Sequence, residues 1–375
     1  MIKIEPVNRQ NRSLVGEFVR LPYRLYQGVP QWVPFMKVDV RNMMDPKKHP
    51  FYEHSEAQAF LAVRNGQTVG RLLMMNNKLY NQVQNKKVAS FDLLEAENDI
   101  AVIQALFEAG KQWAAQRGLK EIVGPKPLGL GDGYGILVDG FDQRQMMIMM
   151  NYNLPYLPRL MEEYGFEKEV DFVSCRVELA KFSMPEKVKR VAERVLEKGT
   201  ISVRGFRSRS ELRTVGKEIG EIYNRVFVKN WEYYPYTQRE IETAIENVIL
   251  FADPKMIKVL MDGDAIIGFL FAFPDVSRAI QRHKGQLNPL SILDLLRETK
   301  KTDTVSVNGM GVMEEYHGRG GNALLYYEME KTVKSQYFKY AEFTQVAESA
   351  EQMRKDLITL GGAEVKNHRV YRIDV

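Results

Sequence analysis

Short apolar runs alternate along the chain with longer segments of helical periodicity. FLAVRNGQTVGRLLMM (60–75) has two apolar stretches around a glycine turn, which predicts a β-hairpin, and the same pattern returns in IKVLMDGDAIIGFLFAF (257–273). Apolar residues at helical spacing predict long amphipathic helices over 101–118 and 323–338. Hairpins and helices in this alternation indicate a fold of the α/β (α+β) class.

The two halves of the chain follow one plan. GFEKEVDFVSCRVEL (165–179) superposes on GGAEVKNHRVYRIDV (361–375) when 196 is added to each position, and the hairpin glycines Gly70 and Gly268 lie 198 apart. The chain starts IKIEPV and ISVRGF form a third match. Three matches at a nearly constant offset predict a duplication. The predicted parts are a first domain over 1–182, a linker helix over 183–199 and a second domain over 200–375.

Composition narrows the classes of function. Over 375 residues, 53 Lys and Arg against 48 Asp and Glu give a formal charge of +5, which excludes a strongly basic nucleic-acid tail and weakly favours an anionic ligand. One cysteine excludes intrachain disulfides, and the five histidines lack metal-site spacing, so we expect no metal. The longest apolar run, 265–273, is shorter than the roughly 20 residues of a membrane span. With no signal-peptide core, we expect a cytoplasmic protein without a membrane partner.

The most informative stretch is VSVNGMGVMEEYHGRGGNALLYYEMEK (305–331), which predicts a strand, a glycine-rich turn and an amphipathic helix. Glycines let consecutive backbone N–H groups converge on one point, and the helix N-terminus adds partial positive charge. The stretch therefore predicts an anion cradle suited to a pyrophosphate. It is neither the GxxxxGK(S/T) nor the GxGxxG motif, so ATP hydrolysis is not indicated. A second glycine-rich run, GLGDGYG (129–135), lacks the strand-to-helix pattern and indicates a turn.

The turn after the strand resembles the Q/R-x-x-G-x-G/A loop of the GNAT superfamily of acyl-CoA-dependent N-acyltransferases. His317 falls at the Gln/Arg position, Gly320 at the fixed glycine and Asn322 at the Gly/Ala position, while an alternative placing puts Gly321 last. The resemblance implies two tandem GNAT-like domains, each a mixed, mostly antiparallel sheet flanked by helices. Over its whole length, the sequence resembles uncharacterised bacterial proteins built of two such domains.

The resemblance also implies which residues bind acetyl-CoA or another acyl-CoA, the substrate we expect in place of a bound cofactor. VNGMGV (307–312) would be the strand that pairs with the pantetheine arm, followed by the pyrophosphate loop. The expected coenzyme contacts are Met310, Gly311, Val312, His317, Gly318, Arg319, Gly320, Gly321, Asn322 and Ala323. In the first half only Glu97–Asp99 separate the strand from the helix, with no glycine, so that domain is expected to be degenerate and to lack the loop.

Direct transfer of an acyl group to an amine needs a base for the amine proton, a hydrogen-bond donor for the oxyanion and an acid for the departing thiolate. The backbone N–H near Val312 is the expected oxyanion donor. Glu342 and Glu348 share one face of the predicted strand 340–349 and are the candidate bases, although a solvated edge carboxylate explains either one alone better. The tyrosine that family members often use as the acid is missing, since Leu357 stands at its position. Tyr371 and Tyr326 are other candidate acids, against the alternative that both are core aromatics.

The segment NWEYYPY (230–236) follows the first predicted helix of the second half, where family members shape the acceptor site. Its Trp231, Tyr233 and Tyr234 predict an apolar or aromatic acceptor, or an amine held by cation–π contact, and the alternative is a cap over the core. The expected acceptor is a small amine or a peptide, and the protein is expected to be a monomer or homodimer.

Two other functions stay open from the sequence. The missing tyrosine and the degenerate first loop also fit a non-catalytic acyl-CoA binder or scaffold. A peptidyl transferase that uses aminoacyl-tRNA would draw on four arginines: Arg204, Arg207, Arg209 and Arg213. A solvated face explains these arginines better, and without a repeat of aromatic and basic residues we expect no nucleic-acid partner.

Overall fold

The computed structural model describes residues 1–130, 133–146, 150–250 and 252–375. The predicted turn at 129–135 lies partly outside these residues, because 131 and 132 are not described. The strands are β1 (Ile2–Pro6), β2 (Glu56–Arg64), β3 (Gln67–Asn76), β4 (Val88–Ala96), β5 (Glu121–Gly124), β6 (Ile136–Asp139), β7 (Glu167–Glu178), β8 (Ser202–Gly205), β9 (Ile257–Asp262), β10 (Ala265–Pro274), β11 (Thr304–Val312), β12 (Tyr340–Ala347) and β13 (Ala363–Asp374).

Helices flank these strands. They are α1 (Arg12–Leu25), α2 (Lys37–Met43), α3 (Lys78–Gln84), α4 (Ile100–Ala115), α5 (Tyr156–Tyr164), α6 (Glu186–Lys198), α7 (Arg209–Val226), α8 (Gln238–Ile249), α9 (Ser277–Arg282), α10 (Pro289–Glu298), α11 (Gly321–Lys334) and α12 (Glu351–Thr359). None of the helices described is long and apolar enough to cross a membrane.

The chain forms two compact units. Unit 1 contains Met1–Val173, Ser277–Ile292 and Val365–Val375, and unit 2 contains Ser174–Val276 and Leu293–Glu364. The units differ from the predicted halves in three places: residues 174–182 belong to unit 2, while Ser277–Ile292 and Val365–Val375 belong to unit 1. At the C-terminus, β13 pairs antiparallel with β5 of unit 1, Tyr371 opposite Gly124. The repeat at offset 196 therefore corresponds to β7 and β13.

Each unit contains a mixed sheet with the same strand plan. In unit 1 the order is β1-β2-β3-β4-β5, and in unit 2 it is β8-β9-β10-β11-β12. Neighbours pair antiparallel except for the last pair of each series, β4 with β5 and β11 with β12, which are parallel. This arrangement confirms the predicted fold class of mixed, mostly antiparallel sheets flanked by helices.

Helices cover the sheets through buried apolar side chains. In unit 1, α4 packs on one sheet face through Ile103, Leu106 and Phe107, and the Phe91 and Phe107 rings meet edge to face at 5.1 Å. In unit 2, α6 ends at Gly199 with φ +64° and packs against α11. Burial of these apolar side chains stabilises both sheets, since burying one large apolar side chain contributes roughly 1.5–3 kcal/mol.

Candidate functional site

A fork between β11 and β12 dominates the candidate site in unit 2. The two strands pair in register from Thr304 with Tyr340 to Val307 with Phe343, and the pairing ends there although both strands continue. Asn308 Nδ2 donates a hydrogen bond to Thr344 Oγ1 (2.9 Å) at the branch point. The edge of β11 beyond this bond is half-buried, so its backbone groups are available to an extended ligand.

A β-bulge at Asn308 sets the direction of these backbone groups. Phe271 lies opposite Gly309 and Ala272 opposite Val307, so one residue of β11 is extra. Met313 donates its N–H to the Ile267 carbonyl (2.9 Å). Because hydrogen-bonding direction alternates along an antiparallel strand, the backbone groups of Met310 face away from β10 and toward the fork.

The free edge leads to a helix N-terminus that carries no side-chain cap. Gly320 is the N-cap of α11, with φ +85°, and none of the described side chains caps the helix there. The first hydrogen bond of the helix runs from Leu324 N–H to the Gly320 carbonyl (3.1 Å). The N–H groups of Gly321, Asn322 and Ala323 therefore have no partner within the helix. With His317, Gly318, Arg319 and Asn322 exposed, this end of the helix is open to an anion.

Close packing explains the glycine at the N-cap. A Cβ on Gly320 would lie 2.7 Å from Val195 Cγ2 and 2.9 Å from Val191 Cγ1 of α6. A side chain is therefore excluded by space as well as by the left-handed backbone. At Gly318, with φ +75°, nothing lies within 4 Å, so only the backbone conformation favours glycine there.

The loop is held by its own side chains and by neighbouring charges. His317 Nε2 lies 2.8 Å from the Val312 carbonyl oxygen, so the ring spans the loop. Glu314 and Glu315 pair with Lys229 and Arg225, respectively. Paired carboxylates repel an incoming anion less than free ones, and the exposed ion pairs leave the cradle's partial positive charge largely intact.

The two candidate glutamates occupy different environments. Glu342 is fully buried, and Arg176 on β7 donates to its Oε2 from Nη2 (2.8 Å) and Nε (3.2 Å). A carboxylate held in this way mainly compensates the arginine charge. Glu348 is half-buried just beyond the end of β12. Glu364, the hydrogen-bond partner of Arg354, raises the pKa of that arginine, and the charge of Glu348 adds to this effect. Of the two, Glu348 is the more accessible base.

The tyrosines predicted as acids lie in cores. Tyr371 belongs to unit 1, is fully buried and donates to Glu162 Oε1 (3.0 Å). Burial raises the pKa of Tyr371 and of Tyr326 well above the ordinary tyrosine value. Leu357, at the family's tyrosine position, is fully buried on α12. Unit 2 therefore does not bring Tyr371 together with Glu348 and Glu342.

The aromatic segment after α7 is half-buried and held in place by α7. The Asn224 side chain donates to the Tyr236 carbonyl and accepts from its N–H, both at 2.9 Å. The Tyr234 and Tyr236 rings lie 4.8 Å apart. Trp231, Tyr233 and Tyr234 are each partly exposed, so each has surface that an acceptor molecule can contact. Lys229, which pairs with Glu314, connects the start of this segment to the loop before α11.

An apolar cavity beneath the fork was not predicted. It is lined on the strands by Leu270, Val307, Ala341 and Phe343. Further lining comes from α11 and from residues before α6: Tyr326, Met329, Val333, Phe182 and Met184. The last paired residues of the fork, Val307 and Phe343, thus also line the cavity. Sequence patterns mark these residues only as core.

The arginines considered for RNA are largely engaged within unit 2. Arg204 pairs with Glu211 (3.2 Å) and Arg213 with Glu246 (3.2 Å), while Arg209 donates to the Ala252 carbonyl (3.1 Å). The net positive charge of this surface is correspondingly reduced. No group of three or more His, Cys, Asp or Glu side chains that could hold a metal ion occurs among the described residues.

Comparison with solved structures defines the class of fold. The tandem GNAT protein from the clavulanic acid biosynthesis pathway superposes with a TM-score of 0.56, at 12% identity, over 100% of this chain and 98% of that one. A GCN5-related N-acetyltransferase from Sphaerobacter thermophilus gives a TM-score of 0.50, at 12% identity, over 100% and 95%. The chain therefore has a tandem GNAT-like fold, as the loop resemblance predicted, and its structural neighbours are acyltransferases of that fold.

Two relatives match at the level of sequence. The bacterial ceramide synthase of Caulobacter vibrioides is 29% identical over 363 residues, which span 94% of this chain and 93% of the relative. Protein YghO of Escherichia coli is 27% identical over 367 residues, which span 96% and 93%. No family model matches the chain.

Proposed function

We propose that the chain is an acyl-CoA-dependent N-acyltransferase whose coenzyme binds to unit 2. The observation that carries the proposal is the continuous line from the free edge of β11 to the uncapped N-terminus of α11. The extended pantetheine arm is an amide chain that can pair with the Met310 backbone, and the pyrophosphate is an anion suited to the N–H groups of Gly321 to Ala323.

The acyl group is transferred directly to the amine, by addition of the amine and elimination of the thiolate. The amine nitrogen attacks the thioester carbonyl, a C–N bond forms, the C–S bond breaks, and the nitrogen proton passes to a base. The N–H of Met310, which faces the fork, is placed to donate to the developing oxyanion, with that of Val312 as the next candidate. We assign the base to Glu348, directly or through water. The thiolate leaves without a dedicated acid, since a free thiol has a pKa of about 8.5.

The cavity beneath the fork favours a long acyl chain. The sequence pointed to acetyl-CoA as the first choice, but the cavity beneath the fork is lined mostly by aliphatic and aromatic side chains, which suit the methylene groups of a longer acyl chain. Burial of methylene groups there would contribute roughly 0.8 kcal/mol each. One relative is named a ceramide synthase, and a ceramide is an amide of a fatty acid with a long-chain amino alcohol. We therefore propose a fatty acyl-CoA and a long-chain amine.

Chain-length dependence tests this proposal. Thiol release from acyl-CoAs of two to sixteen carbons, with a long-chain amine as acceptor, is expected to rise with length. Ala341→Leu, which fills the cavity, is expected to shift the preference to shorter chains. Ala347→Leu adds the same volume on the same strand away from the cavity lining and is the control. A preference for acetyl-CoA that Ala341→Leu leaves unchanged would refute the long chain, and absence of any acyl-CoA binding would refute the function.

The second candidate is a non-catalytic acyl-CoA binder. The buried Leu357 at the tyrosine position favours it, because the acid that family members often use is missing there. Thiol release distinguishes the two candidates: coenzyme binding without turnover on a panel of short, aromatic and long-chain amines would favour the binder, and clear turnover on any amine excludes it.

A further inference from the structure

The helix α10 and the residues just before it present a row of leucines to solvent. Leu290 is 73% exposed, Leu293 is 45% exposed, and Leu287, which precedes the helix, is 47% exposed. Residues three apart in a helix lie on the same side of it. None of the other helices described carries more than one exposed large apolar side chain. Leu287, Leu290 and Leu293 therefore form an unusual apolar surface, the leucine strip.

The opposite side of α10 is buried in the protein. Ser291 and Leu295 are buried, and so is Glu298 one turn further on. The helix begins at Pro289, a residue suited to a first turn, and the Ser291 N–H donates to Asn288 Oδ1 (3.0 Å). Because the helix is continuous, its own backbone directs the leucine strip away from these buried residues. The strip is thus a fixed feature of the helix surface.

Positive charge lies on both sides of the leucine strip. Between residues 282 and 301 every exposed charged side chain is a cation. These cations are Arg282, Lys284, Arg297, Lys300 and Lys301. The two acidic residues of the segment are Asp294, which is half-buried, and Glu298, which is buried. The exposed surface of the segment therefore combines leucines with a net positive charge.

This combination is complementary to a bilayer that contains anionic lipids. Leucines of an interfacial helix enter the boundary between headgroups and acyl chains, while Lys and Arg extend their charged ends to the phosphates. Each cation near an anionic bilayer adds to the attraction. A second copy of the same surface would instead bring like charges together, which opposes self-association. Charge thus favours a lipid surface as the occupant.

We propose that the leucine strip and its flanking cations dock the protein onto a membrane surface that contains anionic phospholipid. The helix has 10 residues, about half of what a membrane span needs, so it lies in the plane of the interface. The proposal concerns the surface of α10 and does not require that unit 2 transfers acyl groups.

Cosedimentation of the full chain with sucrose-loaded vesicles tests the proposal. One set of vesicles contains phosphatidylcholine alone, and the other contains phosphatidylcholine and phosphatidylglycerol in equal amounts. The partition coefficient is expected to be at least tenfold higher with phosphatidylglycerol. Because salt screens exposed charges, this preference should shrink as ionic strength rises.

Substitution of two leucines tests the apolar part of the surface. Leu290→Asn combined with Leu293→Asn is expected to lower the partition coefficient at least tenfold. Val83→Asn combined with Ile358→Asn is the matched control, because both residues are exposed apolar side chains on other helices, α3 and α12. The control is expected to bind vesicles like the unmodified chain.

Substitution of two cations tests the electrostatic part. Arg297→Gln combined with Lys300→Gln is expected to lower the partition coefficient for phosphatidylglycerol vesicles about 25-fold, since each cation near the surface contributes about fivefold. Lys87→Gln combined with Lys120→Gln removes the same charge from two other exposed positions and is the control.

A fluorescent label reports whether the leucine strip itself enters the bilayer. The one cysteine of the chain, Cys175, is buried, so Leu290→Cys can be labelled selectively with a polarity-sensitive dye. The emission of the dye is expected to shift to shorter wavelength when phosphatidylglycerol vesicles are added. The same dye on Ile358→Cys is expected to keep its emission.

Four results would overturn the proposal. The unmodified chain could bind neither kind of vesicle, or both equally, which decides the matter even if a variant fails to fold. The double variants could lose no more binding than their controls. The label at position 290 could keep its emission on vesicles. In sedimentation velocity without lipid, a dimer that Leu290→Asn with Leu293→Asn dissociates would assign the strip to a second copy.

Coenzyme A binding, measured in parallel, keeps this proposal separate from the proposed function. The leucine variants are expected to leave the Kd for coenzyme A unchanged, since α10 contributes none of the expected coenzyme contacts. Loss of vesicle binding alone therefore concerns the surface of α10, and absence of coenzyme binding alone concerns unit 2.

Discussion

Substitution of Asn322 by aspartate separates an anion site from an ordinary helix start. Asn322 is the second residue of α11, is exposed and lies in the turn whose N–H groups are uncapped. A carboxylate in the first turn of a helix interacts favourably with the helix dipole, typically by about 0.3–1 kcal/mol. We therefore expect Asn322→Asp to unfold at the same or a slightly higher urea concentration than the unmodified chain.

The same charge should weaken coenzyme binding. Two like charges about 5 Å apart repel by about 0.8 kcal/mol at a dielectric constant of 80 and by about 3 kcal/mol at 20. At 1.4 kcal/mol per tenfold change, the expected rise in Kd for coenzyme A is about 4- to 150-fold. Because exposed charges are screened by salt, the rise should shrink between low and high ionic strength.

Calorimetry with coenzyme A and urea denaturation provide the two measurements. Tyr337→Asp is the matched control, since Tyr337 is 91% exposed and lies in the turn beyond the C-terminal end of α11, whereas Asn322 lies at the N-terminal end. It carries the same charge change and should leave Kd nearly unaltered. If Asn322→Asp keeps its affinity, or if both variants lose affinity equally, coenzyme pyrophosphate does not sit at the start of α11.

Three further predictions concern stability. Arg176→Met should lower the free energy of unfolding by about 2 kcal/mol or more, and Glu342→Gln should lower it by less, because only Arg176→Met takes the arginine partner from a fully buried carboxylate. Equal losses in urea denaturation would contradict this. Tyr371→Phe should cost about 0.5–1.5 kcal/mol and preserve turnover, whereas selective loss of kcat would show that Tyr371 acts in catalysis. Burial raises the pKa of Asp92 and of Glu95 to about 7, from ordinary values of 3.8 and 4.5, so the folded state binds more protons than the unfolded state between these values. Their contribution to the free energy of unfolding should therefore fall as pH rises from about 4 to about 7. Asp92→Asn should reduce this slope in denaturation curves, and an unchanged slope would show that Asp92 is ionised throughout.

The local parts of the candidate site could be predicted from the sequence. Gly309 and Gly311 lie in an apolar run, where glycine is typical of an irregular strand, and β11 has its bulge at the adjacent Asn308. The glycines before Asn322 indicated a turn into a helix, and Gly320 is its N-cap with φ +85°. Such features depend on neighbours within a few residues, since glycine permits left-handed backbone and spacing sets the face of a helix. The sites themselves stay predictions until ligands are measured.

The assignment of single side chains was less successful, because their partners are distant in the chain. Glu342 looked like a free strand carboxylate, and its partner Arg176 lies 166 residues earlier. Tyr371 looked available to the second domain, yet its hydroxyl meets Glu162 of unit 1. Strand pairing and the packing of α5 bring these residues together, and no local pattern encodes which elements meet.

The sequence by itself determined the duplicated strand and helix plan, the glycine turn before α11 and the absence of such a turn before α4. Periodicity and backbone stereochemistry act over short distances, so they can be read from neighbouring letters. Only the tertiary structure decided that β13 pairs with β5, that β11 parts from β12 after Val307, and that Arg71 lies among Asp92 and Glu95 in a cavity. Those features arise from pairing register and burial, which depend on residues far apart in the chain.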